Sequence, residues 1–161
     1  MDRPDPWEYQ PRLRWWSHLW RIAVMLLISA MVWLPVWQDE ADVAHLWWIA
    51  DLLLGAGCYA LVFLRRRWPV PVAVAVALAG CVSGVAAGPA VPAAASVATR
   101  RRWREIAVVG VVNFAAGQTF SSLTDADTDP WWVTTLANVL ATAAILGWGR
   151  YIGSRRELLW T

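Results

Sequence analysis

Four stretches of this 161-residue chain, 19–37, 46–64, 106–123 and 131–152, are apolar almost from end to end. A helix rising 1.5 Å per residue needs about 20 such residues to cross a hydrocarbon core about 30 Å thick, and each stretch is near that length. Inside a bilayer no water satisfies the backbone, so runs of this kind can only fold as helices whose hydrogen bonds close within the segment. The expected fold class is therefore an all-α integral membrane protein. Composition agrees: hydrophobic residues make up 58% of the chain, and 14 of its residues are tryptophan. Arg12, Arg14 and Arg21 precede or enter the first stretch, as in a signal peptide, but it ends "VWLPVWQDE" without a small-residue cleavage pattern. It reads as an uncleaved first span.

The interval 69–99 is too long for one upright span and short for two. Arg-Arg-Arg-Trp brackets it on both sides, at 65–68 and 100–103. These clusters do not mark a nucleic-acid surface, because the residues between them are almost purely apolar and must be buried in protein or lipid. By the positive-inside rule both triplets lie in the cytoplasm, so the chain between them crosses an even number of times. Gly88 followed by Pro89 and Pro92 supplies a break, glycine ending one helix and proline opening the next. Two short helices are predicted, 71–87 and 90–99, forming a central helical hairpin, with a re-entrant loop as the alternative.

The predicted whole is a six-transmembrane-helix bundle over 19–152. A cytoplasmic N-terminal segment, 1–18, precedes it, and 153–161 starts a cytoplasmic signalling helix. Arg65, Arg66, Arg67, Arg100, Arg101, Arg102 and Arg104 then anchor the inner face, together with the arginines near both termini. The outer loops "QDEADVAH" and "TDADTDP" contain no Lys or Arg. Such a partition predicts a multi-pass protein of the cell membrane with both termini cytoplasmic and the lipid bilayer as its first partner. Tryptophans give a second ruler. Trp20 and Trp37 lie 17 residues apart and Trp132 and Trp148 lie 16 apart, or about 24–26 Å along a helix, the separation of two headgroup belts.

Within the predicted third span Gly80, Gly84 and Gly88 recur every four residues and would share one face, open to close approach by Ala90, Ala94 and Ala98. Gln118 and Asn138 fall at similar depth on neighbouring antiparallel helices, which predicts an interhelical hydrogen bond. Asp51 and Asn113 are further polar groups inside spans, and an ionisable group there is a candidate functional residue. On the outer side His45 with Asp39, Glu40 and Asp42 is a candidate for sensing pH or a divalent cation. Asp125, Asp127 and Asp129 imitate the start of a calcium loop, but Pro130 and Leu136 replace its Gly and Glu. Asp129 suits a helix cap instead. Cys58 and Cys81 sit in apolar runs as small hydrophobes. No phosphate-binding loop, metal cluster or nucleophile and base pair is apparent, so neither cofactor nor metal is expected and no catalytic residue is assigned.

The segments "LRRRWPVPVAVAVALAGCVSGVAAG", "ATRRRWREIAVV" and "GRYIGSRRELLWT" resemble the N-terminal transmembrane sensor region of two-component sensor histidine kinases of high-GC Gram-positive bacteria. The likeness extends over about 14–161. It implies a homodimer whose last span continues into a cytoplasmic kinase core, with a response regulator beyond it. The histidine box and ATP-binding domain of that family do not occur in this sequence, so this chain, whether a truncation or a kinase-less protein, is not expected to be an enzyme. Tyr151 and Leu158, like Ile152 and Leu159, stand seven apart, as at the start of a heptad pattern. The function expected from the resemblance is a membrane-embedded sensory and anchoring domain. A small transporter or channel subunit, with Asp51, Asn113, Gln118 and Asn138 along a path, is one alternative, and an accessory protein stabilising a partner complex is another.

Overall fold

The computed structural model describes residues 15–39, 45–100, 102–124 and 130–158. They form six helices: α1 (Trp15–Asp39), α2 (His45–Leu64), α3 (Pro69–Ala79), α4 (Ala87–Ala98), α5 (Trp103–Thr124) and α6 (Trp131–Leu158). No strand occurs among the described residues. Four helices are long and apolar enough to cross a membrane, over Leu19–Val36, Trp47–Leu64, Trp103–Thr124 and Trp131–Arg155. The other two are not. With 11 and 12 residues, α3 and α4 are only about 16 and 18 Å long, well short of the hydrocarbon thickness.

The short helices occupy the middle. α4 packs against all five of its neighbours, and α3 packs against α2, α4 and α5. α5 and α6 form an antiparallel pair, while α1 is held to the bundle chiefly by α4. The buried core is made mostly of small residues, including Ala73, Ala77, Ala93, Ala94, Ala98, Val76, Val97 and Val109. Large apolar side chains point outward instead: Leu27, Met31, Leu53, Phe63 and Leu140 are each at least 60% exposed. That inversion suits lipid. Hydrocarbon outside removes the drive to bury Leu and Phe, and small residues between helices allow the close packing that holds a bundle in its place.

The two ends of the bundle differ in charge. Arg150 lies over the Trp103 ring at 4.0 Å, joining the start of α5 to the inner part of α6. Arg102 bridges Glu105 at 3.0 Å in the same region. Arg65, in the turn after α2, is half-buried and faces Arg21 and Arg66. Burial first, and these like charges second, pull its guanidinium pKa down from the usual value. Trp33 and Trp48 meet edge to face, 5.7 Å apart, toward the opposite end.

The predicted central hairpin is corrected in its details. α3 opens with Pro69 after a non-helical Trp68, as proline's fixed φ and missing N–H favour, but it stops at Ala79 instead of reaching 87. The break occupies 80–86, and Gly88 and Pro89 lie in the first turn of α4. Proline is tolerated there because the N–H it lacks would have no helical partner. Gly80, Gly84 and Gly88 therefore share no helical face. They stand in the C-cap of α3, in the connector and in α4 respectively. α6 runs without interruption through 153–158, so the last long apolar helix carries on into the expected signalling segment as far as the described residues reach.

Candidate functional site

A broken helix inside a bundle leaves backbone groups that lipid cannot satisfy, so the site begins with what the connector 80–86 bonds to. Ser29, on α1 and 5% exposed, meets it directly. Its hydroxyl donates to the Val85 carbonyl at 2.6 Å and accepts from the Gly88 N–H at 3.2 Å. Tyr59 of α2 lies 3.0 Å from the same oxygen. A serine hydroxyl has one hydrogen, already given to Val85, so the Tyr59 hydroxyl is the donor. One oxygen thus joins α1, α2 and the opening of α4. Ser83, within the connector, accepts from the Ala86 N–H at 3.2 Å and reaches the Asp51 carbonyl at 3.5 Å.

Glycine permits these approaches. A Cβ at Gly88 would collide with the Met25 carbonyl oxygen and the Ser29 Oγ. A Cβ at Gly84 would lie 3.3 Å from the Trp33 Cα and the Phe120 Cζ. On the other side of α4, a Cβ at Gly149 would lie 2.6 Å from Ala98 Cβ and 2.7 Å from the Ala95 carbonyl oxygen. One at Gly153 would lie 2.9 Å from the Thr99 carbonyl oxygen. Four residues apart, Gly149 and Gly153 form a small-residue seam along which α6 lies on α4.

Between α1 and the α5 and α6 pair, floored by α4, runs a cavity of about 430 Å³. Ile28, Val32 and Val36 make its α1 wall, and Asn113, Ser121, Asn138 and Thr142 give the facing wall its polar groups. Asn138 donates to the Gln118 Oε1 at 2.6 Å, and the Gln118 Nε2 donates to the Thr135 Oγ1 at 2.8 Å. Gln118 is satisfied at both ends by α6. A double-mutant cycle of Gln118→Leu and Asn138→Leu is expected to give a coupling of about 1 kcal/mol in detergent unfolding. A coupling near zero would separate the two amides.

Asp51 lies on α2 with its Oδ1 enclosed and without a hydrogen-bond partner among the described residues. It does not line the cavity, whereas Asn113, which donates to its own helix at the Val109 carbonyl, does. The candidate sensing cluster is not assembled in view: Glu40 and Asp42 lie outside the described residues, as do the side chains of Asp39 and His45. Asp125, Asp127, Asp129 and Arg101 also lie outside them. Cys58 is buried and Cys81 partly so, both as free thiols.

Sequence reasoning passed over Ser29, Tyr59, Ser83, Thr135, Gly149 and Gly153. Only the last two carried a usable signal, the four-residue glycine spacing in "GRYIG". A single serine in an apolar helix has no periodicity to betray it.

Residues 18–158 match the family described as Domain of unknown function (DUF8318). No curated protein and no solved structure matches the chain.

Proposed function

The chain belongs to the DUF8318 family, and from its geometry we propose that it is a membrane-embedded sensory and anchoring domain that signals through α6. The observation that carries this reading is the seam between α4 and α6. Gly149 and Gly153 sit against Ala95, Ala98 and Thr99, with nothing larger than the Ala98 methyl between the backbones. α4 also floors the cavity and receives the Ser29 node. A shift of α4 therefore has to move α6 or break the seam, and α6 continues as one rigid helix to Leu158. Four spans surround a re-entrant hairpin in this reading, in place of six full spans. The arginine-rich end faces the cytoplasm by the positive-inside rule, with both termini there. A homodimer coupled to a kinase core is the arrangement that the sequence resemblance implies, and the heptad spacing beyond Tyr151 is consistent with it.

The test joins Thr161 to the cytoplasmic core of a sensor histidine kinase and inserts residues after Leu158. One or two inserted residues rotate the output by about 100° or 200° and are expected to change autophosphorylation severalfold, while an insertion of about two full turns restores it. Gly149→Leu is expected to shift the basal output in the uninterrupted fusion. Output indifferent to both register and Gly149 would sink the reading.

One observation favours a second reading, a carrier or channel subunit. The interrupted helix lies beside a cavity with Ser83, Asn113 and Asn138 in its wall, and transporters place substrate sites at such breaks. Solute flux across liposomes that Asn113→Leu abolishes, in a protein whose kinase fusion ignores register, would establish it over the first.

A further inference from the structure

We infer that the cavity between α1 and the α5 and α6 pair is a binding site for an uncharged amphiphile of the quinone kind, a carbonyl-bearing ring on an alkyl tail. The inference concerns binding and goes beyond the signalling role proposed above.

Three observations fix the chemistry. The cavity, about 430 Å³, falls within the range of about 300–1,000 Å³ typical of small-molecule sites. Every residue lining it is uncharged, so an ionised ligand would lose its hydration without a counter-charge. Finally, two of the polar groups, Asn113 and Thr142, lie deep. Gly117 abuts Asn138, and Gly110 abuts Leu146, a register that sets Asn113 level with Thr142. Asn113 is about 15 Å along α5 from Trp103, and Thr142 about 16 Å along α6 from Trp131, so both sit near the middle of a slab about 30 Å thick.

Both have bonding capacity to spare. Asn113 uses one amide hydrogen on the Val109 carbonyl, which leaves its second hydrogen and its oxygen. The Thr142 hydroxyl has no hydrogen-bond partner among the described residues, although it lines the cavity. Hydrogen-bond donors at the bilayer midplane, opposite an apolar wall of Ile28 and Val32, suit a carbonyl ring that dissolves in hydrocarbon. They do not suit a phospholipid, whose charged head stays at the surface. The gap between α1 and α6 supplies the route, since the two helices meet mainly through α4, and a tail can leave by it into the lipid.

The experiment places the full chain in phospholipid nanodiscs and labels it with a benzoquinone carrying a diazirine on its alkyl tail, in competition with decylbenzoquinone. Expected are saturable, competed labels on peptides of α1, α4, α5 and α6. Thr142→Val, which removes the hydroxyl and keeps the shape, should weaken binding by a factor of about five, the worth of one hydrogen bond. Val32→Trp should fill the cavity and abolish saturable labelling. Circular dichroism and unfolding midpoints check that both variants fold, and Thr142→Val decides if Val32→Trp does not. Labels that never saturate, labels confined to lipid-facing positions such as Leu27 and Leu140, or binding unchanged in Thr142→Val would overturn the inference. So would a phospholipid that co-purifies in the cavity and is not displaced by decylbenzoquinone. Saturable binding that leaves the kinase fusion's output unmoved would keep the site and remove the sensory reading, so the two fail separately.

Discussion

Gly88→Ala is expected to destabilise the fold by about 3 kcal/mol, the upper part of the usual range for overpacking a tight interior. The added carbon meets the Met25 carbonyl oxygen, and the carbonyl carbon behind it lies only 2.9 Å away. These are backbone atoms of α1 and cannot rotate aside as a side chain would. α4 has to retreat, and the retreat lengthens the bond from the Gly88 N–H to Ser29. The control is Gly57→Ala on α2, where nothing lies within 4 Å of the new carbon. There alanine's better helix propensity should leave the protein unchanged or more stable by up to about 1 kcal/mol. Detergent unfolding followed by tryptophan fluorescence reads both. Equal midpoints for the two variants would mean that α1 and α4 do not touch at Gly88.

Ser29→Ala is expected to cost about 2–3 kcal/mol, because it deprives two buried backbone groups at once. The Val85 carbonyl loses its 2.6 Å donor and the Gly88 N–H its acceptor. In a soluble protein a water could enter and soften the loss, but the node lies within the bundle, where few waters reach. Tyr59→Phe removes only the third bond to the same oxygen and should cost about 0.6–1 kcal/mol. The double variant should cost little more than Ser29→Ala alone, since Tyr59 has nothing left to bond there. Additive losses would show that Tyr59 contributes through another contact.

Much of the helical frame was legible in the residues. The four long apolar helices begin and end within a few residues of the predicted limits, because a run of apolar side chains closed off by arginine, aspartate or proline has few alternatives to a helix. The pairing of Gln118 with Asn138 was legible for a related reason: two amides at equal depth on sequential antiparallel helices have almost no other partner. The break in the central hairpin was not. Gly88 and Pro89 look like a helix boundary, and they are one, but the helix that precedes them stopped at Ala79, and in the connector Ser83 folds back on Ala86 and Ser29 takes the Val85 carbonyl. Gly149 and Gly153 were hidden in plain sight, inside a tract that reads as the charged exit of the last span.

Sequence by itself determined which segments can live in lipid and which end of the bundle carries the arginines. Those are properties that each residue brings with it, a transfer free energy or a charge, and they sum along the chain. Tertiary structure alone decided that the two short helices form the centre, that Gly88 faces α1 while Gly149 and Gly153 face α4, and that one serine oxygen holds three helices together. These are properties of pairs far apart in the chain. A close approach or a hydrogen bond depends on the partner's position to within a fraction of an ångström, and hydropathy carries no record of it.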